Sequence, residues 1–485
     1  MITKNKPIAL VFSLVLLAIA ACHKDQGNYD YKNIPAPVVT HLDSNYSVFV
    51  GDSLIIKPTI TIPDDNNPDL SVKWVIKAPS IDSGEIDLVY EGAELHTVFG
   101  LGTGNYIMRI SIQNNKNGMT YFYNSEVTGK TAFSVGTTVL TDDNGVTRLS
   151  FVKPNDSVQS NIYEAVNPSE ELPSQPTQLL AAPQAYQPPI IRYWVFGKSG
   201  KNTGVRINAN TFQKDITLAD NFFTAPDEIH PQKMFVDPMG VISGVINGTV
   251  FHGTTSTWDQ APTYGMFDNG AAGDYVCSPE VVYNYTGIYG PGNYIGFDTV
   301  RQQFLRFNLY GTPTYFGTQY TVIADTIFNP ANLKMSLVHL QQINGGICYA
   351  YCKNPKNDSL YELKFNAEFN GPFQITALSK RAFAHPDWIN SATLWQATQS
   401  EIIYFTNKDK VYRYNPLNQD FRTVAADFGE QTVTMLKILD QNTLAVGVKG
   451  GIYYLNISTG QNGTLIKHLD GLPGNVIDMA VINNQ

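Results

Sequence analysis

Val411-Tyr-Arg-Tyr-Asn415 is the stretch on which the reading of the fold turns. Apolar residues at alternate positions, ended by an asparagine, make a short strand with one buried face and a stop. The same grammar returns in Gly204-Val-Arg-Ile-Asn208, Phe304-Leu-Arg-Phe-Asn308 and Ile452-Tyr-Tyr-Leu-Asn456, and more loosely in Arg148-Leu-Ser-Phe151, Gly248-Thr-Val-Phe251 and Leu360-Tyr-Glu-Leu363. These copies end at residues 151, 207, 251, 307, 363, 414 and 455, so one recurs every 41 to 56 residues. Three or four short strands fit each interval, which predicts a β-propeller over 131–485. Seven blades suit the count. Six or eight also fit, because the third copy is weak, and a further array of sandwiches is the alternative.

The hairpins around these strands support the reading. Val139-Leu-Thr-Asp-Asp-Asn-Gly145 and Leu444-Ala-Val-Gly-Val-Lys-Gly-Gly451 carry Asn-Gly and Gly-Gly where a tight turn needs a positive φ. A unit of this kind has two apolar faces and cannot bury both alone, so neighbours must stack. The final apolar run, Val476-Ile-Asp-Met-Ala-Val-Ile482, is expected to complete the first blade.

Upstream the period is a plain two. Leu54, Ile56, Ile60 and Ile62 alternate with polar or wet positions, as do Val72, Trp74 and Ile76, and then Tyr106, Met108, Ile110 and Ile112. Such alternation gives strands buried on one side, and turn clusters such as Pro63-Asp-Asp-Asn-Asn-Pro68 separate them. A tryptophan on a middle strand, with Gly104-Asn-Tyr106 opening a late one, suits an immunoglobulin-like sandwich over 36–130. The whole chain is therefore expected to be all-β, an immunoglobulin/PKD-like sandwich followed by a propeller.

The N-terminus reads as an export signal. Lys4 and Lys6 precede an apolar run that is too short to span a bilayer, and Ile19-Ala20-Ala21 leads into Cys22. This resembles the lipobox of bacterial lipoproteins, in which the cysteine thiol receives the acyl chains. On that reading 1–21 is removed, Cys22 is the lipid attachment point, and polar residues 22–35 form a tether. Lys24-Asp25 is similar to short charged signals for surface display, which favours the cell surface over the periplasmic face.

Tether and sandwich together resemble the PKD-like family lipoproteins of glycan-utilising Gram-negative bacteria. The likeness rests on Cys22, Gly27-Asn-Tyr-Asp-Tyr31, Trp74 and Gly104-Asn-Tyr-Ile-Met-Arg-Ile-Ser-Ile112; the Trp-x-Phe-Gly-Asp-Gly turn of true PKD modules is missing after Trp74. The resemblance implies a non-catalytic binding or accessory part of an outer-membrane nutrient-uptake system. Its partners would be a TonB-dependent receptor and a glycan-binding lipoprotein, its ligand a polysaccharide or glycopeptide. A propeller-fold glycoside hydrolase or lyase is the competing expectation.

Composition narrows the chemistry. The net charge is −9, and no run of five basic residues occurs, so a nucleic-acid partner is not expected. No Gly-x-Ser-x-Gly, His-Glu-x-x-His or phosphate-binding glycine pattern is present, and the histidines are scattered singly. No cofactor is expected, although Asp64-Asp-Asn-Asn-Pro-Asp69 holds the oxygen ligands a calcium ion would need. Cys348 and Cys352 stand four apart on one strand, too far for a disulfide. Buried free thiols are expected for them and for Cys277, with a bridge from Cys277 to one of them as the alternative. Rings in glycine-rich turns are the remaining lead. Trp258, Tyr289, Tyr294 and Tyr315 are the candidate ligand contacts, since aromatic faces stack on sugars and serve as hot spots.

Overall fold

The computed structural model describes residues 35–80, 84–184, 187–237, 239–255, 263–284, 293–308, 312–369 and 373–482. The chain divides into two compact units, the first ending at Gly129 and the second beginning at Lys130. Both are built almost entirely of strands.

In the first unit Asn45–Phe49, Thr120–Lys130, Gly104–Asn114, Leu70–Ser80 and Gly84–Glu91 form one five-stranded sheet in that spatial order. Two short pairs, Val38–Thr40 with Thr59–Thr61 and Ser53–Ile56 with Leu95–Val98, complete it. The period of two decides which side chains meet. Leu54, Ile56, Trp74, Ile76, Met108 and Ile110 are buried in one cluster, while Ile55 and Ile107 on the alternate positions are exposed. Trp74 donates its indole N–H to the Gly92 carbonyl at 2.9 Å, and the Tyr106 hydroxyl donates to the Leu101 carbonyl. Buried polar tips thus find partners without leaving the core.

Among its described residues the second unit holds six sheets. Five follow the chain. The second sheet runs Ser174–Gln184, Gln187–Ser199, Gly204–Asn208 and Lys214–Thr217; the third runs Pro231–Val236, Ile242–Ile246 and Thr249–His252. The fourth is Val282–Asn284, Asn293–Asp298, Gln303–Asn308 and Thr314–Gly317. Next comes the fifth, Ser336–Asn344, Ile347–Lys353, Leu360–Glu368 and Gln374–Ala382, with Thr321–Ile323 parallel at its edge. The sixth is Trp395–Ala397, Ile403–Asn407, Lys410–Asn415 and Asp420–Thr423.

The first sheet joins the two ends of the unit. Its order is Val158–Gln159, Val146–Val152, Gly136–Asp143, Thr464–Ile482, Thr443–Asn456 and Met435–Asp440. Two of these strands are folded arms. Thr443–Asn456 turns at Gly450 (φ +85°), and the Ile457 amide reaches the Asn442 carbonyl at 2.8 Å across the two arms. Thr464–Ile482 turns near Gly474 (φ +66°), where an added Cβ would lie 2.2 Å from the Asp142 carbonyl oxygen, so only glycine fits. One arm pairs with Gly451–Asn456, and the other, Asn475–Ile482, pairs with Gly136–Asp142.

Burial follows the same sequence. Leu140 and Phe151 pack with Val195 and Ile207. Phe196 of the second sheet packs with Ile242 of the third, and Val245 of the third with Phe307 of the fourth. Phe304 then meets Phe365, Tyr351 meets Phe405, and Tyr404 meets Leu444. A last cluster joins Met435 and Ile452 to Val139 and Val152, the far end of the unit to its beginning. Each strand of the sequence repeat lies in a different one of these packing partners, with the first and last copies in opposite halves of the first sheet. The weak third copy falls on the sheet with three strands, Thr249–His252 being its edge.

Candidate functional site

Two polar constellations stand out in the second unit. The first gathers on the opening strands of consecutive sheets. Glu280, two residues before Val282–Asn284, takes the Lys233 ammonium at 3.0 Å and His339 Nδ1 at 3.2 Å on one oxygen. His339 lies parallel on Trp395 with centroids 4.9 Å apart, and Trp395 lies on Tyr351 at 4.6 Å. Burial pushes the Glu280 carboxyl up, but the charges and hydrogen bonds of His339 and Lys233 outweigh it and hold it down to about 2. A general acid at neutral pH needs the opposite shift. This trio is an ion-paired brace, with Trp395 packed on its imidazole.

The brace has a pH signature. A carboxyl held near 2, against 4.5 when free, stabilises the fold fully above the free value and loses that contribution as pH falls toward 2. Glu280→Gln is expected to cost about 2–3 kcal/mol at pH 7 and progressively less below pH 4. Chemical unfolding at both pH values checks this, and an equal loss at each would refute the charged role.

The second constellation is a cavity of about 860 Å³ between the sixth sheet and the C-terminal half of the first. Its walls are loops fixed by their own side chains. Thr398 Oγ1 accepts from the Ile402 amide at 3.2 Å, Asp440 accepts from the Asn442 amide at 2.7 Å, and Asn456 accepts from Ser458 at 2.6 Å. Asn462 spans the two sheets, donating to the Thr423 carbonyl at 2.8 Å. Amides dominate the lining: Gln396, Gln399, Gln441, Asn442, Gln461 and Asn462. Hydroxyls from two of the loops lie between them.

Two guanidiniums complete the wall. Arg422 Nε donates to Asp420 at 2.7 Å, and Arg413 Nη1 lies 3.7 Å from the same oxygen. Arg413 also stands across the strand pair from buried Tyr404, whose hydroxyl pKa burial raises and the Arg413 charge pulls back. Among the lining residues Asp440 is the only carboxylate.

The sequence candidates fall elsewhere. Cys22, Trp258 and Tyr289 lie outside the described residues. Tyr294 is 2% exposed, within ring distance of Phe235, and Tyr315 is stacked on Tyr275 with centroids 4.7 Å apart. In the Asp64–Asp69 loop, Asp65 holds Lys116 at 2.8 Å and Asp69 holds the Asn115 amide at 2.9 Å. No group of three acidic, histidine or cysteine side chains fit to hold a metal occurs among the described residues. Cys277, Cys348 and Cys352 are free and buried, and burial raises the Cys277 thiol to about 12.

The cavity was not visible in any motif, since its lining is drawn from 396–462 and consists of residue types common in turns. One signal does exist. The central arginine of Val411-Tyr-Arg-Tyr-Asn415 recurs as Arg206 and Arg306 in the sister repeats. Arg206 is engaged by Asp215 and Trp194, and Arg306 lies over Phe316 and Phe373; Arg413 alone of the three lines the cavity.

Fold and site thus define a two-unit, all-β chain with a PKD-like N-terminal domain and a polar cavity in its larger unit. Residues 22–176 match the PKD-like family, a stretch that takes in the described first unit and runs on into the first strands of the second. No curated protein matches the chain. Solved structures similar to it include a quinonprotein alcohol dehydrogenase-like protein from Bacteroides thetaiotaomicron, 11% identical, covering 93% of this chain and 100% of that one, with a TM-score of 0.38. Another is the extracellular domain of a putative one component system from B. thetaiotaomicron, 9% identical over 90% of this chain and 67% of that one, with a TM-score of 0.39. A protein of unknown function from Bacteroides caccae is 10% identical, covers 71% and 98%, and has a TM-score of 0.33. Among the described residues no helix is long and apolar enough to cross a membrane.

Proposed function

We propose that the chain is a lipid-anchored, non-catalytic lipoprotein of the outer membrane whose second unit is a seven-bladed propeller that binds an oligosaccharide in the cavity. The ring is supported by the packing clusters, which link each sheet to the next and the last strands to the first. The final arm Asn475–Ile482 would close it, a device that leaves no long free edge.

One observation carries the reading of binding without cleavage. A glycosidase places two carboxyl groups across the scissile bond, and the cavity lining offers Asp440 alone. Amides, hydroxyls and guanidiniums instead supply the fixed donors and acceptors that vicinal sugar hydroxyls require. The setting would be an uptake system at the cell surface, beside a TonB-dependent receptor and a glycan-binding lipoprotein. The test is retention of oligosaccharides by the mature chain, with a parallel assay for reducing ends. Release of sugar would overturn the non-catalytic reading.

Anchorage at Cys22 is tested separately. Acyl chains contribute roughly 0.8 kcal/mol per buried CH₂, and no other membrane attachment is invoked. Cys22→Ser is expected to yield an exported protein recovered in the soluble envelope fraction. Membrane retention of that variant after a high-salt wash would contradict the anchor.

A further inference from the structure

We infer that the cavity selects acidic sugars, taking a ring carboxylate or sulfate on the paired guanidiniums of Arg413 and Arg422. The inference rests on the oligosaccharide-binding reading above and names its ligand class.

Charge placement is the first argument. The chain carries −9 overall, yet two arginines stand in this one wall. They share Asp420 as counter-ion, close to Arg422 at 2.7 Å and distant from Arg413 at 3.7 Å. With Asp440 counted, two carboxylates stand against two guanidiniums, but only Arg422 is closely paired, and Arg413 stands 3.7 Å from its counter-ion with capacity for a ligand's acid group. Asp440, the opposing charge on the lining, spends one oxygen on the Asn442 amide of its own turn.

Pre-organisation is the second. Arg413 lies on Lys410–Asn415, paired on both sides with strands, directly across from the buried Tyr404. Arg422, three residues into Asp420–Thr423, is held through Nε, which leaves its terminal nitrogens as the fork. Planar guanidinium forks match carboxylate and sulfate oxygens in pairs, whereas an ammonium presents a point charge. Such a fork discriminates by charge and by geometry together.

Amides around the fork give the third argument. Gln441, Asn442 and Gln461 come from two different loops, so a chain of sugars seated on the arginines meets hydroxyl partners on either side. A site for a free inorganic anion would need none of them.

The experiment is calorimetric titration of the mature chain carrying Cys22→Ser, using tetragalacturonate, its fully methyl-esterified form and a sulfated carrageenan tetrasaccharide. Tetragalacturonate or the sulfated oligomer is expected to bind at least tenfold more tightly than the neutral ester. The acid that binds identifies carboxylate or sulfate as the group recognised. Arg422→Met should weaken the acidic ligand by about tenfold to a hundredfold and shrink its preference over the neutral ester. Arg422→Lys should recover only part of the loss, and Asp440→Asn should tighten acidic binding. Arg422 is largely exposed, so these variants are expected to unfold at the native temperature. Equal affinity for acid and ester, unmoved by Arg422→Met, overturns the inference and leaves sugar binding standing. Failure of every oligosaccharide to bind overturns both.

Discussion

Truncation after Leu472 is expected to abolish cooperative folding of the second unit. The lost arm carries Val476, Met479 and Ile482, all buried, together with the ladder from Asn475–Ile482 to Gly136–Asp142. Burial of three such side chains is worth roughly 5–9 kcal/mol, against a total stability of about 5–15 kcal/mol for a domain. Asp478 adds a further tie. It accepts from the Leu179 amide at 2.9 Å and from the Lys437 ammonium at 2.6 Å, so it joins the second sheet to the last strands. The measurement is near-ultraviolet circular dichroism with calorimetry of the truncated chain. A peptide of residues 473–485 supplied in trans is expected to restore the transition, as strand complementation does for other open edges. A truncated chain that melts at the original temperature would show that the closing arm is dispensable, and with it the proposed ring.

That arm was legible before any coordinates, and the reason is physical. The mostly apolar run Val476–Ile482 follows the last copy of the repeat strand, and it pairs with Gly136–Asp142. The repeats themselves were legible because a copy such as Val411-Tyr-Arg-Tyr-Asn415 sends side chains from its two faces into adjacent clusters: Val411 packs with Leu444, and Tyr414 with Tyr351. Of the turns read at Asn144-Gly145 and Gly450-Gly451, Gly145 and Gly450 sit at positive φ, while Gly451 does not. In the first unit Trp74 could be placed in the core because its strand alternates without interruption.

Polar sites gave no such period. Lys233, Glu280 and His339 are 47 and 59 residues apart in the chain and meet on one carboxylate oxygen. Nothing local distinguishes Glu280 from an exposed glutamate. Aromatic residues misdirect for the opposite reason, because glycine-flanked tyrosines read alike whether they face solvent or plug a seam. Tyr294 stands in Asn293–Asp298, where every position is buried, and Tyr315 covers Tyr275.

The fifth sheet offers the sharpest single-residue test. Glu362 is wholly buried; Arg381 engages it through Nε at 2.7 Å and Nη2 at 2.5 Å, while the Tyr351 hydroxyl donates to its other oxygen at 3.1 Å. Arg381 also reaches the Tyr414 hydroxyl at 3.2 Å and the Pro416 carbonyl, tying the fifth sheet to the sixth. Burial raises the Glu362 pKa even though Arg381 and the hydroxyls oppose it. Desolvation therefore dominates, and only the guanidinium keeps the charge tolerable. Arg381→Leu is expected to destabilise the unit by about 3–5 kcal/mol at pH 8, since it strands a buried carboxylate. The sign with pH follows from the raised value. An acid whose folded pKa lies above its unfolded one favours the fold at low pH and loses that advantage as pH rises through the folded value. The penalty of Arg381→Leu should thus shrink toward pH 5, where Glu362 can hold its proton. Replacing both partners, Glu362→Leu with Arg381→Leu, should cost clearly less than Arg381→Leu alone, because no charge is then left in the interior. Denaturant titrations of the two single variants and the double variant at pH 5 and pH 8 close the cycle. Additive losses that ignore pH would mean that the arginine acts through its contact with Pro416 and not through the charge it neutralises.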